Sequence, residues 1–208
     1  MVAESEALSR MFRGRENRAP LTLGIEGDIA TSHIEAFVRM AHQALPNLLL
    51  TLEEGCHGDG RLAVEEMCCE DELFLPLWEE SYVMALPLDH PMANAQSGWA
   101  PIEDWITCPQ HPSHQRLMAM YGRSPEAVAG HAGSLQQALH MVAAGVGVAM
   151  LPQSLVSGHE RIVVRALHLP APTRRVGLCY AAQALELPTM RGLHEYFQVN
   201  RPAAIEAA

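Results

Sequence analysis

The chain has 208 residues and a mass of 22.8 kDa, with 49% apolar and 18% charged residues and a mean hydropathy near zero. Such a composition suits one large or two small packed domains and argues against disorder through the body of the chain. With 24 acidic against 14 basic residues the formal net charge is −10, so this polypeptide on its own should bind a DNA duplex poorly.

Every basic residue is arginine, and the absence of lysine excludes a Walker A phosphate loop, a Schiff-base enzyme and a serine–lysine hydrolase. No apolar run approaches a membrane span, and the N-terminus lacks the apolar stretch of a secretory signal. The expectation is a soluble cytoplasmic protein with no membrane partner. Five widely spread cysteines (Cys56, Cys68, Cys69, Cys108, Cys179) in such a chain are expected as reduced thiols.

Residues 1–20 are polar, carry four arginines and end at Pro20, which reads as a helix tail or linker. LTLGI (21–25) alternates as a strand, and Asp28, Thr31 and Ser32 offer helix-start side chains. Ile34, Phe37, Val38, Ala41 and Leu45 follow at helical spacing until Pro46-Asn47, and Leu48–Leu52 forms the next strand. Strand–helix–strand of this length implies a parallel pair with a right-handed crossover. CHGDG (56–60) is a loop and RLAVEEMCCED is ambiguous between helix and strand. ELFLPLW and SYVMALPL read as two strands interrupted or ended by Pro76 and Pro87. A loop then leads to the strand WITCP (105–109), a helix from Pro112 to Tyr121 stopped by Gly122, and a helix over 134–144 capped by Ser134. VGVAML, RIVVRAL and VGLCYA are strands, and Pro188–Val199 is the last helix. The alternation gives an α/β fold with a largely parallel sheet.

Candidate chemistry is sparse. AAGVGVAMLP contains a Gly-x-Gly, but helix precedes the glycines and strand follows, the reverse of a dinucleotide fingerprint. A tight helix-to-strand turn with Gly145 as the C-terminal stop is the simpler reading. No Gly-x-Ser-x-Gly elbow occurs. Cys108 before PQHPSH only superficially suggests a Cys–His couple, and no pair among Cys56, His57, Cys68, Cys69, His111 and His114 has convincing metal-ligand spacing. The acidic run Glu65-Glu66 and Glu70-Asp71-Glu72 reads as a solvated face. Small polar groups at strand ends and helix starts describe a ligand cleft without a catalytic group.

The succession LTLGI–helix–ALPNLLLTLEEG, LFLPLWEESYVMALPLDHP and SLQQALHMVAAGVGVAMLPQSLV resembles the effector-binding domain of LysR-type transcriptional regulators over residues 20–200. The resemblance implies two Rossmann-like subdomains of periplasmic-binding-protein type joined by crossing strands. Subdomain I would be 20–86 plus 178–208 and subdomain II 87–177, with residues 1–19 the end of a linker helix. It further implies a small-molecule effector in the interdomain cleft, side-by-side homodimers or tetramers, and DNA contact only through a helix-turn-helix that this sequence does not contain. Carried over by position, the effector-binding residues would be Asp28, Ile29, Thr31 and Cys56 of subdomain I, and Cys108, Gln110, His111, Ser113 and Ser134 of subdomain II. No cofactor, metal or catalytic residue is expected.

Two departures stand out. The segment between EEG and LFLPLW is shorter than the family's, with RLAV as the remnant of a strand. Asp28 stands where many relatives place Ser or Thr toward an anionic effector. If it pointed inward, a carboxylate ligand would meet like-charge repulsion, and the simpler expectation is that Asp28 caps its own helix. Besides the effector-sensing domain, the sequence admits a cysteine-based redox sensor and a free-standing solute-binding protein, against which the missing signal peptide argues. An enzyme is the least supported alternative.

Overall fold

The computed structural model describes residues 18–93, 102, 104–121, 128–167 and 170–201, so nearly all of the expected linker helix (1–19) and the Gly122 helix stop lie outside the described residues. The elements in chain order are β1 (Ala19–Ile25), α1 (Thr31–Ala44), β2 (Leu48–Glu54), β3 (Gly60–Val64), β4 (Glu72–Pro87), β5 (Trp105–Thr107), α2 (His114–Leu117) and β6 (Val128–His131). They continue as α3 (Leu135–Ala143), β7 (Val148–Pro152), α4 (Gln153–Val156), β8 (Ile162–Arg165), β9 (Thr173–Ala181) and α5 (Pro188–Val199). Strand order is β2-β1-β3-β9-β4-β7-β5-β6, with β8 also on β4.

The pairings resolve this continuous path into two lobes. In lobe I, β1 runs parallel to β2 and β3, and β9 runs antiparallel to β3 and to β4 from Glu72 to Ser81. In lobe II, β4 from Tyr82 onward pairs antiparallel with β7 and β8, while β5 runs parallel to β6 and β7. The sheet is therefore mixed rather than largely parallel, because the strands that cross between lobes enter antiparallel to their neighbours. Lobe I packs Leu21, Leu23, Phe37, Leu62, Leu178 and Leu193 into one core, with Phe37 stacked on Phe197 of α5 at 5.3 Å. Lobe II packs Met84, Leu86, Ile106, Leu135, Val142 and Leu151 into another. Each helix buries one stripe, as His33, Phe37 and Ala41 do at four-residue spacing on α1.

Pro76 does not end a strand. β4 runs unbroken for 16 residues and absorbs the missing proline N–H as a register shift between Pro76 and Trp78. Its pairing partner changes between Ser81 and Tyr82, and the Tyr82 N–H donates to Pro172 O at 2.8 Å. The pairing of β4 thus changes lobes between Ser81 and Tyr82, whereas β9 pairs within lobe I from Thr173 onward. β6 and the four-residue α4 were not expected from the sequence, and α2 is a single turn rather than a helix over 112–121. Ser113 does not cap α2, because its hydroxyl is engaged with the His111 ring at 2.8 Å.

The glycines of AAGVGV are structural. Gly145 has φ +82° and stops the helical run, and a Cβ on Gly147 would lie 2.1 Å from Asp104 O. Gly147→Ala should therefore destabilise the domain by about 1–3 kcal/mol through forced separation of β7 from the chain entering β5. Chemical denaturation measures this, and an unchanged midpoint would refute the close approach.

Candidate functional site

The site is built where the crossing strands pass between the lobes. Arg174, at the start of β9, has a side chain only 1% exposed. Its Nε donates to Glu80 Oε1 at 2.9 Å, and its Nη2 donates to Asp28 O at 3.0 Å. The other oxygen of Glu80 accepts the Ser154 N–H at 2.9 Å. One buried ion pair thus joins the turn after β1, the crossing strands and the start of α4. A charge pair this deep is costly unless hydrogen-bonded, and backbone groups take Arg174 Nη2 and the second Glu80 oxygen, while Arg174 Nη1 is left without a partner among the described residues.

Asp28 follows from this anchor. With its carbonyl fixed by Arg174, its carboxylate reaches across the gap: Oδ1 accepts the Gln136 N–H at 3.0 Å, and Oδ2 lies 3.2 Å from His111 Nε2. The expectation that Asp28 caps its own helix is wrong; the N-cap of α1 is Ala30, without a side-chain cap. Asp28 caps the facing lobe's helix α3 instead. Burial alone would raise its carboxyl, but hydrogen bonds from His111 and the Gln136 and Leu135 N–H groups, with the His111 charge, hold it below the ordinary carboxylate value.

Several expected residues gather around Asp28. His111 and Ser113 bond each other, and the Cys108 thiol donates to Ser134 O at 3.4 Å. The Ser134 hydroxyl accepts the Gln137 N–H at 3.1 Å as an N-cap. Burial first, then the Asp28 charge, pushes the Cys108 thiol up to about 12. It is therefore protonated at neutral pH and is no nucleophile. Cys56 and Gln110 are exposed, and among the described residues no side-chain hydrogen bond or ion pair joins either to this cluster. Ile29 and Thr31 instead line a neighbouring cavity of about 490 Å³ between the lobes. Gly27, Ala30 and Ser32 complete its lobe I wall, and Gln136, Ser154, Leu155, Ser157 and Gly158 form the lobe II wall. None of these side chains is charged. Nothing in the residue spacing marks Ser154 and Ser157, because the single turn α4 that Ser157 follows is too short to carry a period. Arg174 and Glu80 fall just outside the strands expected from the sequence, where each reads only as a surface charge.

The same loop of lobe II is fastened a second time. Arg116 pairs with Glu66 of lobe I at 2.6 Å and donates to Thr173 O at 2.9 Å. The acidic run is accordingly not merely a solvated face: Glu65 pairs with Arg175, and Glu72 with the buried Arg61, which also holds Glu26. Nor are all thiols reduced, since Cys68 and Cys179 form a disulfide beside that network. Cys68, Cys179 and Glu72 are close enough to suggest metal ligands, but the two sulfurs are bonded to each other and Glu72 is committed to Arg61.

Comparison with known proteins agrees with this architecture. The family described as "LysR substrate binding domain" matches residues 70–200. The hydrogen peroxide-inducible genes activator of Dickeya chrysanthemi is 29% identical over 203 residues, covering 86% of this chain and 66% of the relative. The chain thus spans just under two thirds of that relative's length. The reduced OxyR regulatory domain from Pseudomonas aeruginosa superposes with a TM-score of 0.67 at 23% identity, covering 88% of this chain and 98% of that one. HinK, a LysR family regulator from the same organism, gives 0.70 at 17% identity, covering 93% and 76%. At these identities the structures establish the fold.

Removing one partner of the buried pair should be costly. Glu80→Ala leaves Arg174 uncompensated and should lower stability by about 3–5 kcal/mol in chemical denaturation; a change within 0.5 kcal/mol, the ordinary surface range, would contradict the buried geometry. For Asp28 the folded pKa is depressed, so its contribution is complete above the unfolded value and lost as pH falls through the folded one. The stability gap between the native chain and Asp28→Asn should shrink as pH falls below about 4. A gap independent of pH would remove the ion pair from the account.

Proposed function

The chain belongs to the LysR substrate-binding domain family, and from that premise we propose that it senses a small uncharged or cationic metabolite held between its lobes. The observation that carries this is the Asp28 carboxylate seated on the α3 N-terminus and on His111. That seat combines a helix dipole with an imidazole and would suit an anion, but the protein fills it with its own carboxylate. The adjoining cavity offers hydroxyls and backbone groups without a charged side chain, which favours ligands bearing no negative charge. A ligand that prefers one lobe angle shifts the population toward it. In the whole protein that change would reach DNA through a helix-turn-helix domain, within a cytoplasmic homodimer or tetramer. The protonated Cys108 thiol agrees with a domain that binds without catalysis. Among the described residues no helix is long and apolar enough to cross a membrane.

A second reading rests on the Cys68–Cys179 disulfide with the exposed Cys69 thiol next in sequence, and on relatives named for induction by hydrogen peroxide. In that reading the effector is the thiol redox state, and reduction frees the turn at 65–67 that carries Glu66 to Arg116.

A thermal-shift screen of metabolites tests the first reading. A ligand at a hundredfold excess over its dissociation constant stabilises by about 2.7 kcal/mol, a midpoint rise of roughly 5–10 °C for a domain of this size. Uncharged and cationic compounds should supply the hits, and Asp28→Asn should admit carboxylates. Hits confined to carboxylates in the native chain, or turnover of any hit, would defeat it. Mass spectrometry before and after a dithiol reductant addresses the second reading; an unchanged lobe separation by small-angle scattering after reduction would exclude it.

A further inference from the structure

A separate cavity of about 360 Å³ lies at the crossing strands, lined by His33, Trp78, Glu80, Gln153, Ser154 and Thr173 among others. It adjoins the larger interlobe cavity, with which it shares Ser154 and Ser157. Its walls come from α1 of lobe I, α4 of lobe II, and β4 and β9 at the crossing itself. Three lining side chains carry a buried polar atom without a protein partner: His33 Nδ1, Trp78 Nε1 and Ser154 Oγ. His33 is 1% exposed and Trp78 4%, with their rings 4.8 Å apart. Each such orphan costs about 1–3 kcal/mol, so three beside one cavity mark a place where a partner is missing.

The chemistry of the lining defines that partner. The indole N–H only donates and the serine hydroxyl can donate, so they require lone pairs from the ligand. Burial, the dominant influence on His33, lowers its pKa, with Arg174 adding to that and Glu80 opposing it; the ring enters as a neutral hydrogen-bonding group. The charge of Arg174 is already matched by Glu80, and the further carboxylate of Glu79 lies on the wall, so an anion gains no counter-charge. We propose that this hinge cavity is a second ligand site, taking a small uncharged compound with oxygen acceptors, such as an amide or polyol, against Trp78, Ser154 and His33. A ligand there touches both lobes at the strands that set their angle, and so biases that angle from inside the hinge. This regulatory consequence rests on the two-lobed sensor reading; occupancy of the cavity does not.

The indole resonances of the isotopically labelled chain test occupancy. The sequence has three tryptophans, and Trp78→Phe assigns the Trp78 N–H by its disappearance. Titration with acetamide or glycerol should move the Trp78 resonance and leave that of Trp105 in place, while acetate should move neither. Ser154→Ala should weaken the acetamide response at least threefold, and His33→Phe should do the same should the serine variant fail to fold. Asp28→Asn should leave the response intact, which separates this site from the interlobe cavity. A Trp78 resonance unmoved by both uncharged probes means the cavity holds water only and overturns the proposal. A response equal for acetate and acetamide, or undiminished in a folded Ser154→Ala or His33→Phe chain, overturns it too.

Discussion

The Arg174–Glu80 pair is the constraint from which the interlobe architecture follows. A guanidinium buried at the crossing is tolerable only when its charge is met locally and most of its N–H groups find acceptors. Glu80 meets the charge, and the carbonyl of Asp28 meets one donor. Glu80's second oxygen then takes the Ser154 N–H from the other lobe. Pairing one arginine therefore fixes three backbone segments relative to one another, and both interlobe cavities are walled by those segments.

Asp28 places a carboxylate of the chain's own on the α3 N-terminus and His111 of the facing lobe. The helix terminus and imidazole that face the gap are an anion's natural partners. By supplying the anion from its own chain, the protein makes a lobe-to-lobe fastening there. Arg116 adds a second fastening from the same lobe II loop, so His111 and Arg116 hold the two ends of one short segment against lobe I. Movement of that loop is coupled at both ends.

What the sequence made legible was local. α1, α3, α5, the strand-to-helix turn after β1 and the Ser134 cap follow from spacing and capping residues whose effects act within a few positions. Continuity of β4 through Pro76 was not legible, because a bulge that tolerates proline depends on the partner strand. The single turn α4 escaped notice because four residues carry no period. The inward carboxylate of Asp28 escaped because a capping residue reads the same whether it serves its own helix or one 108 positions away. The disulfide between Cys68 and Cys179 joins residues 111 positions apart, a distance over which sequence spacing says nothing.

That β4 belongs to both sheets bears on how the lobes can move. A domain closing about a flexible loop swings like a door, and its amplitude is set by whatever it strikes. Here the connecting elements are themselves hydrogen-bonded strands, with β4 laddered to β9 on one side of the crossing and to β7 and β8 on the other. Rotation must be taken up as torsion of a stiff ribbon, so the displacement stays small and the restoring force rises with angle. Such a joint behaves as a spring, returning to rest once a load is removed and carrying a small twist faithfully from one end to the other.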